Sequence, residues 1–216
     1  MTTLKLTKGD WPNIDILALP QNERAAASYI QVSLHELYRY VEQFAADLAL
    51  FDESSVLEVR GIKWGTDRRY IAARDGAMAI YNFAKTTETF SPRLKVSPTL
   101  SSYVDHQQLR SSCKALGQLF PHFEGIRHSV AHSAELRNER QKHQIRQPVP
   151  GLIPGIALGG PNTPIDVRNT LRGRTFMNTF KGKLQTYEMS LDTLAGLKRI
   201  KDGIYQAFRH HERKTG

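Results

Sequence analysis

Ile30-Gln31-Val32-Ser33-Leu34-His35-Glu36-Leu37-Tyr38-Arg39-Tyr40-Val41-Glu42-Gln43-Phe44-Ala45-Ala46-Asp47-Leu48-Ala49-Leu50-Phe51 is the stretch that decides the fold. Within it Ile30, Leu34, Leu37, Val41, Phe44, Leu48 and Phe51 follow one another at alternating steps of four and three. That spacing places these side chains on one seam of a helix through three heptads, and such a seam is buried in helix bundles. Asn22 is a suitable N-cap, so the first helix is predicted near 22–52.

Working outward, Thr66 can cap a second helix over 66–90 with Tyr70, Ala73, Ala77, Ile80 and Ala84 as its buried stripe. Its small residues would let a neighbour approach closely. Pro92 and Pro98 are read as ending that segment. Ser101 or Ser102 can cap a third helix to about Leu119. Pro121 sits where a first turn tolerates proline, so a fourth helix is predicted over 121–146, with Phe123, Ile126, Val130 and Ala134 on its inner face. Residues 147–174 are rich in Pro, Gly and Asn and lack helical periodicity. Thr175–Phe180 and Leu184–Met189 alternate in strand fashion around Lys181-Gly182-Lys183, which predicts a β-hairpin. A last helix follows over 190–211, with Ser190 or Asp192 as cap and Leu194, Leu197, Ile200, Ile204 and Phe208 on its apolar side. The expected class is mainly α: an antiparallel bundle of about five helices in a single domain, 1–216, with 147–189 as a loop and small β-hairpin insertion before the last helix.

Hydrophobic residues make up 40% of the chain, enough for a proper core, which argues against wholesale disorder. A single cysteine, Cys113, excludes an intramolecular disulfide. Met1-Thr2-Thr3-Leu4-Lys5-Leu6 is too polar for an export signal, so a cytoplasmic location is expected. No apolar run approaches a membrane span, and no membrane association is expected. The net charge of +9, from 30 Lys and Arg against 21 Asp and Glu, fits a polyanion partner such as nucleic acid. Arg137, Arg140, Lys142 and Arg146 stand against one acid, Glu139, and the first three are the expected nucleic-acid contacts. Both this run and the basic C-terminus can equally be solvated helix ends.

The chemistry-bearing stretch is Phe123-Glu124-Gly125-Ile126-Arg127-His128-Ser129-Val130-Ala131-His132-Ser133. A guanidinium clamps phosphate bidentately and stays charged at any working pH, while an imidazole moves protons near neutrality. Together they suit phosphodiester chemistry. On an ideal helix His128 and His132 share a face, and Arg127 lies about 140° from His132, within swing of its long side chain. His122, His128, His132 and His143, half of the eight histidines, fall in this one segment. Glu124, His128, His132 and Glu135 also follow a 4-4-3 spacing able to line one stripe, as metal ligands do. A di-metal bundle needs matching Glu-x-x-His sets on other helices, however, and His35-Glu36 and Asp105-His106 have the wrong spacing. No metal and no cofactor are therefore expected. Asp75 is an auxiliary candidate, either pairing with an arginine or lying on a solvated face, and Glu124 is a second. Cys113, Trp11, Trp64 and Tyr70 read as packing residues.

This stretch resembles the signature of the HEPN family: an arginine, a polar residue, a short gap and a histidine. Arg69-Tyr70-Ile71-Ala72-Ala73-Arg74-Asp75-Gly76-Ala77-Met78-Ala79-Ile80-Tyr81-Asn82-Phe83 is similar to a segment of bacterial HEPN-like proteins. In organisation the likeness covers roughly 23–140 and the final helix; the hairpin lies outside the minimal family fold. The resemblance implies a metal-independent endoribonuclease of toxin or defence type, with a composite site across a homodimer. His132 would then act as general base or acid, Arg127 would stabilise the phosphorane charge, and His128 would bind phosphate or orient a partner. It implies RNA as substrate, and a cognate antitoxin or nucleotidyltransferase as partner. The alternatives are a non-catalytic HEPN-like module that binds RNA or nucleotides as an accessory or scaffold, and a helical-bundle metalloprotein.

Overall fold

The computed structural model describes residues 11–61, 64–125, 127, 167, 170–181 and 183–209. Among them the protein is mainly helical, with a small antiparallel sheet before the final helix, as the apolar periodicity predicts. The helices are α1 (Arg24–Val59), α2 (Trp64–Glu88), α3 (Phe90–Lys95), α4 (Pro98–Ser101), α5 (His106–Leu119) and α6 (Leu191–Phe208). The strands are β1 (Thr170–Arg172), β2 (Thr175–Phe180) and β3 (Lys183–Glu188). Of the predicted fourth helix, 121–125 and 127 are described: Pro121 and His122 form a turn and 123–125 and 127 are helical; the rest lies outside the described residues.

Several boundaries differ from the sequence reading. Helix α1 runs seven residues past Leu50-Phe51-Asp52, because nothing before Gly61 breaks it and Gly61 then takes a left-handed turn at φ 76°. Helix α2 begins at Trp64, ahead of Thr66. Pro92 and Pro98 do not end a segment. Each sits in the first turn of a short helix, where the missing N–H costs nothing. Asp105, rather than Ser101 or Ser102, caps α5, its carboxylate accepting from the N–H groups of Gln107 and Gln108 at 3.0 and 2.9 Å. The hairpin gains a third strand, β1, paired with β2 across a turn at Gly173.

The chain groups into two compact units. The first comprises 1–46, 82–121 and 191–216. Its core holds Ile30, Leu34, Leu37, Val41 and Phe44 of the α1 seam, all at most 1% exposed. In the same unit the Phe90 and Phe208 rings lie 5.5 Å apart, and Tyr205 Oη donates to the Leu34 carbonyl at 2.8 Å. Helix α5 packs against α6. Gly203 makes that approach possible, since a Cβ there would stand 2.4 Å from Ser112 Oγ. The buried Glu23 ties the start of α1 to the α4 turn. Its carboxylate accepts from Ser97 Oγ at 2.8 Å, Thr99 Oγ1 at 2.8 Å and Thr99 N at 3.0 Å.

The second unit comprises 47–81 and 122–190. Leu48 and Phe51, the last two seam residues, are buried in it with Ala72, Ala73, Ala77, Phe176, Met177, Tyr187 and Met189. Its sheet has the order β1-β2-β3, and Phe180 pairs with Lys183 around the expected short turn, with Lys181 at φ 49°. Strand β3 alternates, Gln185 and Tyr187 inward against Thr186 and Glu188 outward, whereas Phe176 to Thr179 of β2 are buried on both faces. Arg174 anchors the sheet, reaching Asp52 at 2.7 Å and the Met189 carbonyl at 2.5 Å.

Candidate functional site

Arg127 is the motif residue that the structure describes. It is half-buried in the second unit, its guanidinium carbon 5.1 Å from the centroid of the Tyr81 ring. The Phe123 ring lies 6.2 Å from the same tyrosine. A guanidinium over an aromatic face is held by charge–quadrupole attraction, which leaves its hydrogen-bonding edges unspent. Arg127 Nε is shielded from solvent and has no hydrogen-bond partner among the described residues. Glu124, one turn earlier, is exposed. His128, His132, Arg137, Arg140 and Lys142 lie outside the described residues.

Tyr81 belongs to a stripe of α2 that also carries Ala73 and Ala77, at i, i+4 and i+8. Those small residues receive Tyr187 of β3. The buried Tyr187 hydroxyl donates to the Ala73 carbonyl and lies 3.6 Å from Met189 Sδ. Two residues before Tyr187, on the same face of β3, the buried side chain of Gln185 meets the backbone at Gly125. A Cβ on Gly125 would lie 2.1 Å from the Gln185 amide, so glycine at this position lets the strand and the motif segment touch. Gln185 Oε1 is also without a partner among the described residues. The inner face of the hairpin thus contacts both α2 and the segment that carries Arg127.

An acidic pair adjoins this surface. Asp47 of α1 is half-buried, and its Oδ2 is shielded without a partner among the described residues. Burial, then the nearby charge of Asp75, pushes the Asp47 carboxyl up to about 7. Burial also drives the Tyr187 phenol well above its ordinary range. The neighbouring charges of Asp47 and Asp75 add to that rise, and a backbone hydrogen bond from Ala77 opposes it. Asp75 itself is exposed and makes no ion pair among the described residues; its charged neighbour is a carboxylate rather than an arginine. Titratable groups displaced from their ordinary range gather at functional sites more often than elsewhere.

The sequence reading singled out Arg127, Asp75 and Glu124 but missed Asp47, Tyr81, Gln185 and Tyr187. Asp47 precedes a seam leucine and looks like any helix-surface acid. Tyr81, Gln185 and Tyr187 carry no motif, and only the docking of β3 brings Gln185 and Tyr187 beside the motif segment and α2. Among the described residues, no cluster of three or more His, Cys, Asp or Glu side chains could hold a metal ion, and no helix is long and apolar enough to cross a membrane. Of the other expected packing residues, Trp11 stacks edge-on to His35 at 4.9 Å, whereas Trp64 stays 48% exposed beneath the Arg68 guanidinium.

Comparison with known proteins returns no matching family model, no matching curated protein and no matching solved structure.

Proposed function

We propose that this protein is a metal-independent endoribonuclease of the kind its HEPN-like motif implies, with Arg127 as the phosphate-holding group. The observation that carries the reading is the state of that arginine: it is steered by the Tyr81 face at 5.1 Å, and Nε is left without a partner among the described residues. A structural arginine in a half-buried position ordinarily spends its donors on a carboxylate or carbonyls. An arginine fixed by a ring and short of acceptors is prepared for an anion arriving from outside. The net charge of +9 favours that anion being a polynucleotide.

In this reading the ribose 2′-OH attacks the adjacent phosphorus. The new 2′-O–P bond forms as the P–O5′ bond breaks, giving a 2′,3′-cyclic phosphate and a 5′-OH. The proton leaving the 2′-OH passes to a base, and an acid returns one to the departing 5′ oxygen; His132 serves in one of these roles. Arg127 offsets the charge that grows on the phosphorane oxygens, and His128 supports the phosphate. One Arg/His pair makes an incomplete clamp, so the reading includes a homodimer in which two motif segments share the site. A cognate antitoxin or nucleotidyltransferase remains the protein partner class that the motif implies.

The test uses purified protein on single-stranded and structured RNA, with and without EDTA. Cleavage should survive the chelator and leave cyclic phosphate ends. His132→Ala should lower the rate about 10²–10⁴-fold, and Arg127→Ala about 10²–10³-fold. Equal cleavage by wild type and His132→Ala would mark a contaminant and end the proposal. A second reading, a non-catalytic RNA- or nucleotide-binding module, is favoured by the partial burial of Arg127, which commits some of its surface to packing. Tight RNA binding without turnover, lost in Arg127→Ala, would select it.

A further inference from the structure

A cavity of about 540 Å³ opens in the first unit, far better defined by its chemistry than by any motif. That volume falls within the roughly 300–1,000 Å³ typical of small-molecule sites. Its floor is formed by Phe90 and Leu94 of α3 and Leu109 of α5. Its mouth carries Lys95, His106 and Arg110, all exposed. The one acid lining it, Glu88, is already neutralised by Lys85 at 2.9 Å. Lys95 and Arg110 have no carboxylate partner among the described residues. His106 is held in place by Ser101, with Nε2 3.0 Å from both its carbonyl and its hydroxyl. Those contacts fix the ring at the rim of the cavity. Cys113 lies half-buried on the wall, and burial pushes its thiol above its ordinary range.

An apolar floor with an unbalanced cationic mouth has one complementary ligand type. We propose that this cavity binds a small amphiphilic anion, its alkyl or aromatic body against Phe90, Leu94 and Leu109 and its anionic head against Lys95 and Arg110. The apolar floor sets affinity and the mouth sets the sign of the head. Neither feature is used by the proposed ribonuclease chemistry, whose residues lie in the other unit, so the two readings stand or fall separately.

Cys113 is the chain's only cysteine, so its alkylation reports occupancy directly. The full-length protein is treated with iodoacetamide at alkaline pH, where the raised thiol supplies thiolate to react, in the presence of decanoate, decanol or decyltrimethylammonium, each below its micelle concentration. Isothermal titration of the same compounds gives an independent affinity. Decanoate should protect Cys113 saturably, bind at least tenfold more tightly than decanol, and outcompete the ammonium compound altogether. Each methylene removed from the carboxylate should weaken binding about fourfold. The double variant Lys95→Glu, Arg110→Glu changes exposed positions only, so it should fold, keep decanol binding and lose the preference for decanoate. Decyl phosphate in place of decanoate distinguishes a phosphate-selective mouth, which binds it more tightly, from a merely cationic one, which binds both alike; either is within the proposal. Equal affinity for the three head groups, no binding at millimolar decanoate by either measurement, or a double variant that keeps its carboxylate preference would overturn it.

Discussion

Replacing Asp47 with Asn should make the protein more stable at alkaline pH and leave it unchanged in strong acid. The carboxyl is raised from an ordinary 3.8 to about 7 by burial and by Asp75. A folded-state pKa above the unfolded one means that, between about pH 4 and 7, the native chain holds a proton the unfolded chain has released. Stability from this group is therefore full below the unfolded value and is lost as pH rises through the folded one. For a fully shielded carboxyl the shift would correspond to roughly 4 kcal/mol. Asp47 is only half-buried, so solvent screening reduces that to about 1–2 kcal/mol. Asn is nearly isosteric with the protonated acid and does not titrate. Urea denaturation followed by far-ultraviolet circular dichroism at pH 5 and pH 8 measures the effect. The variant should exceed wild type by about 1–2 kcal/mol at pH 8, or about 2–8 °C in Tm for a chain of this size, and by roughly a third of that at pH 5, where the unfolded carboxyl has already lost its proton. A gain equal at both pH values would mean that the effect is packing rather than ionisation. A loss at pH 8 would mean that the charged carboxylate has a partner, and the account of Asp47 as a shielded acid facing Asp75 would be wrong.

Two further substitutions probe the contacts that frame each unit. Tyr187→Phe keeps the ring against Ala73 and Ala77 but removes the hydroxyl donated to the Ala73 carbonyl, so it should cost about 0.5–1.5 kcal/mol of unfolding free energy. The Ala73 carbonyl keeps its helical bond, so a larger loss would point to disruption of the β3 packing instead. Glu23→Gln should destabilise the first unit by about 1.5–3 kcal/mol at neutral pH, because three donors from Ser97 and Thr99 would face an amide in place of a carboxylate. Burial alone would raise the Glu23 carboxyl, yet hydrogen bonds from the Thr99 and Ser97 side chains and from the Leu100 and Thr99 backbone hold it below its ordinary value. Its contribution is accordingly present above the unfolded value near pH 4.3 and fades as pH falls through the lower folded one, so the deficit of the Gln variant should shrink in strong acid.

The helical part of the fold was legible because its signal is dense. A heptad seam repeats the same physical statement from Ile30 to Phe51, and every one of those side chains is at most 4% exposed. Boundaries were less legible because they depend on single residues read in competition with their neighbours. Asp52-Glu53-Ser54-Ser55 looks like a polar stop, yet a helix has no reason to end without a breaker, and α1 continues to Val59. Pro92 and Pro98 look like terminators until the chain is seen to restart at each of them. Strand β1 was hidden within a Pro- and Gly-rich tract, because three residues carry too little alternation to stand out; its pairing with β2 defines it.

The site divides along the same line. Arg127 was legible because guanidinium and imidazole in one helical segment is a chemical pattern that sequence preserves. Its setting was not, because it is made by residues far apart in the chain. Tyr81 is an unremarked aromatic of α2 until the Arg127 guanidinium is found over its ring, and Gly125 is a helix-weakening residue until the Gln185 amide is found 2.1 Å from where its Cβ would be. The hairpin reads as an appendage in sequence, yet Gln185 and Tyr187 place its inner face against both the α2 stripe and the motif segment. Removing the hairpin would uncover Ala73 and Ala77 and release the backbone at Gly125, two residues from the arginine. The insertion is therefore a structural support of the Arg127 segment, and variation at Gln185 should alter the behaviour of Arg127 although the two side chains belong to different elements.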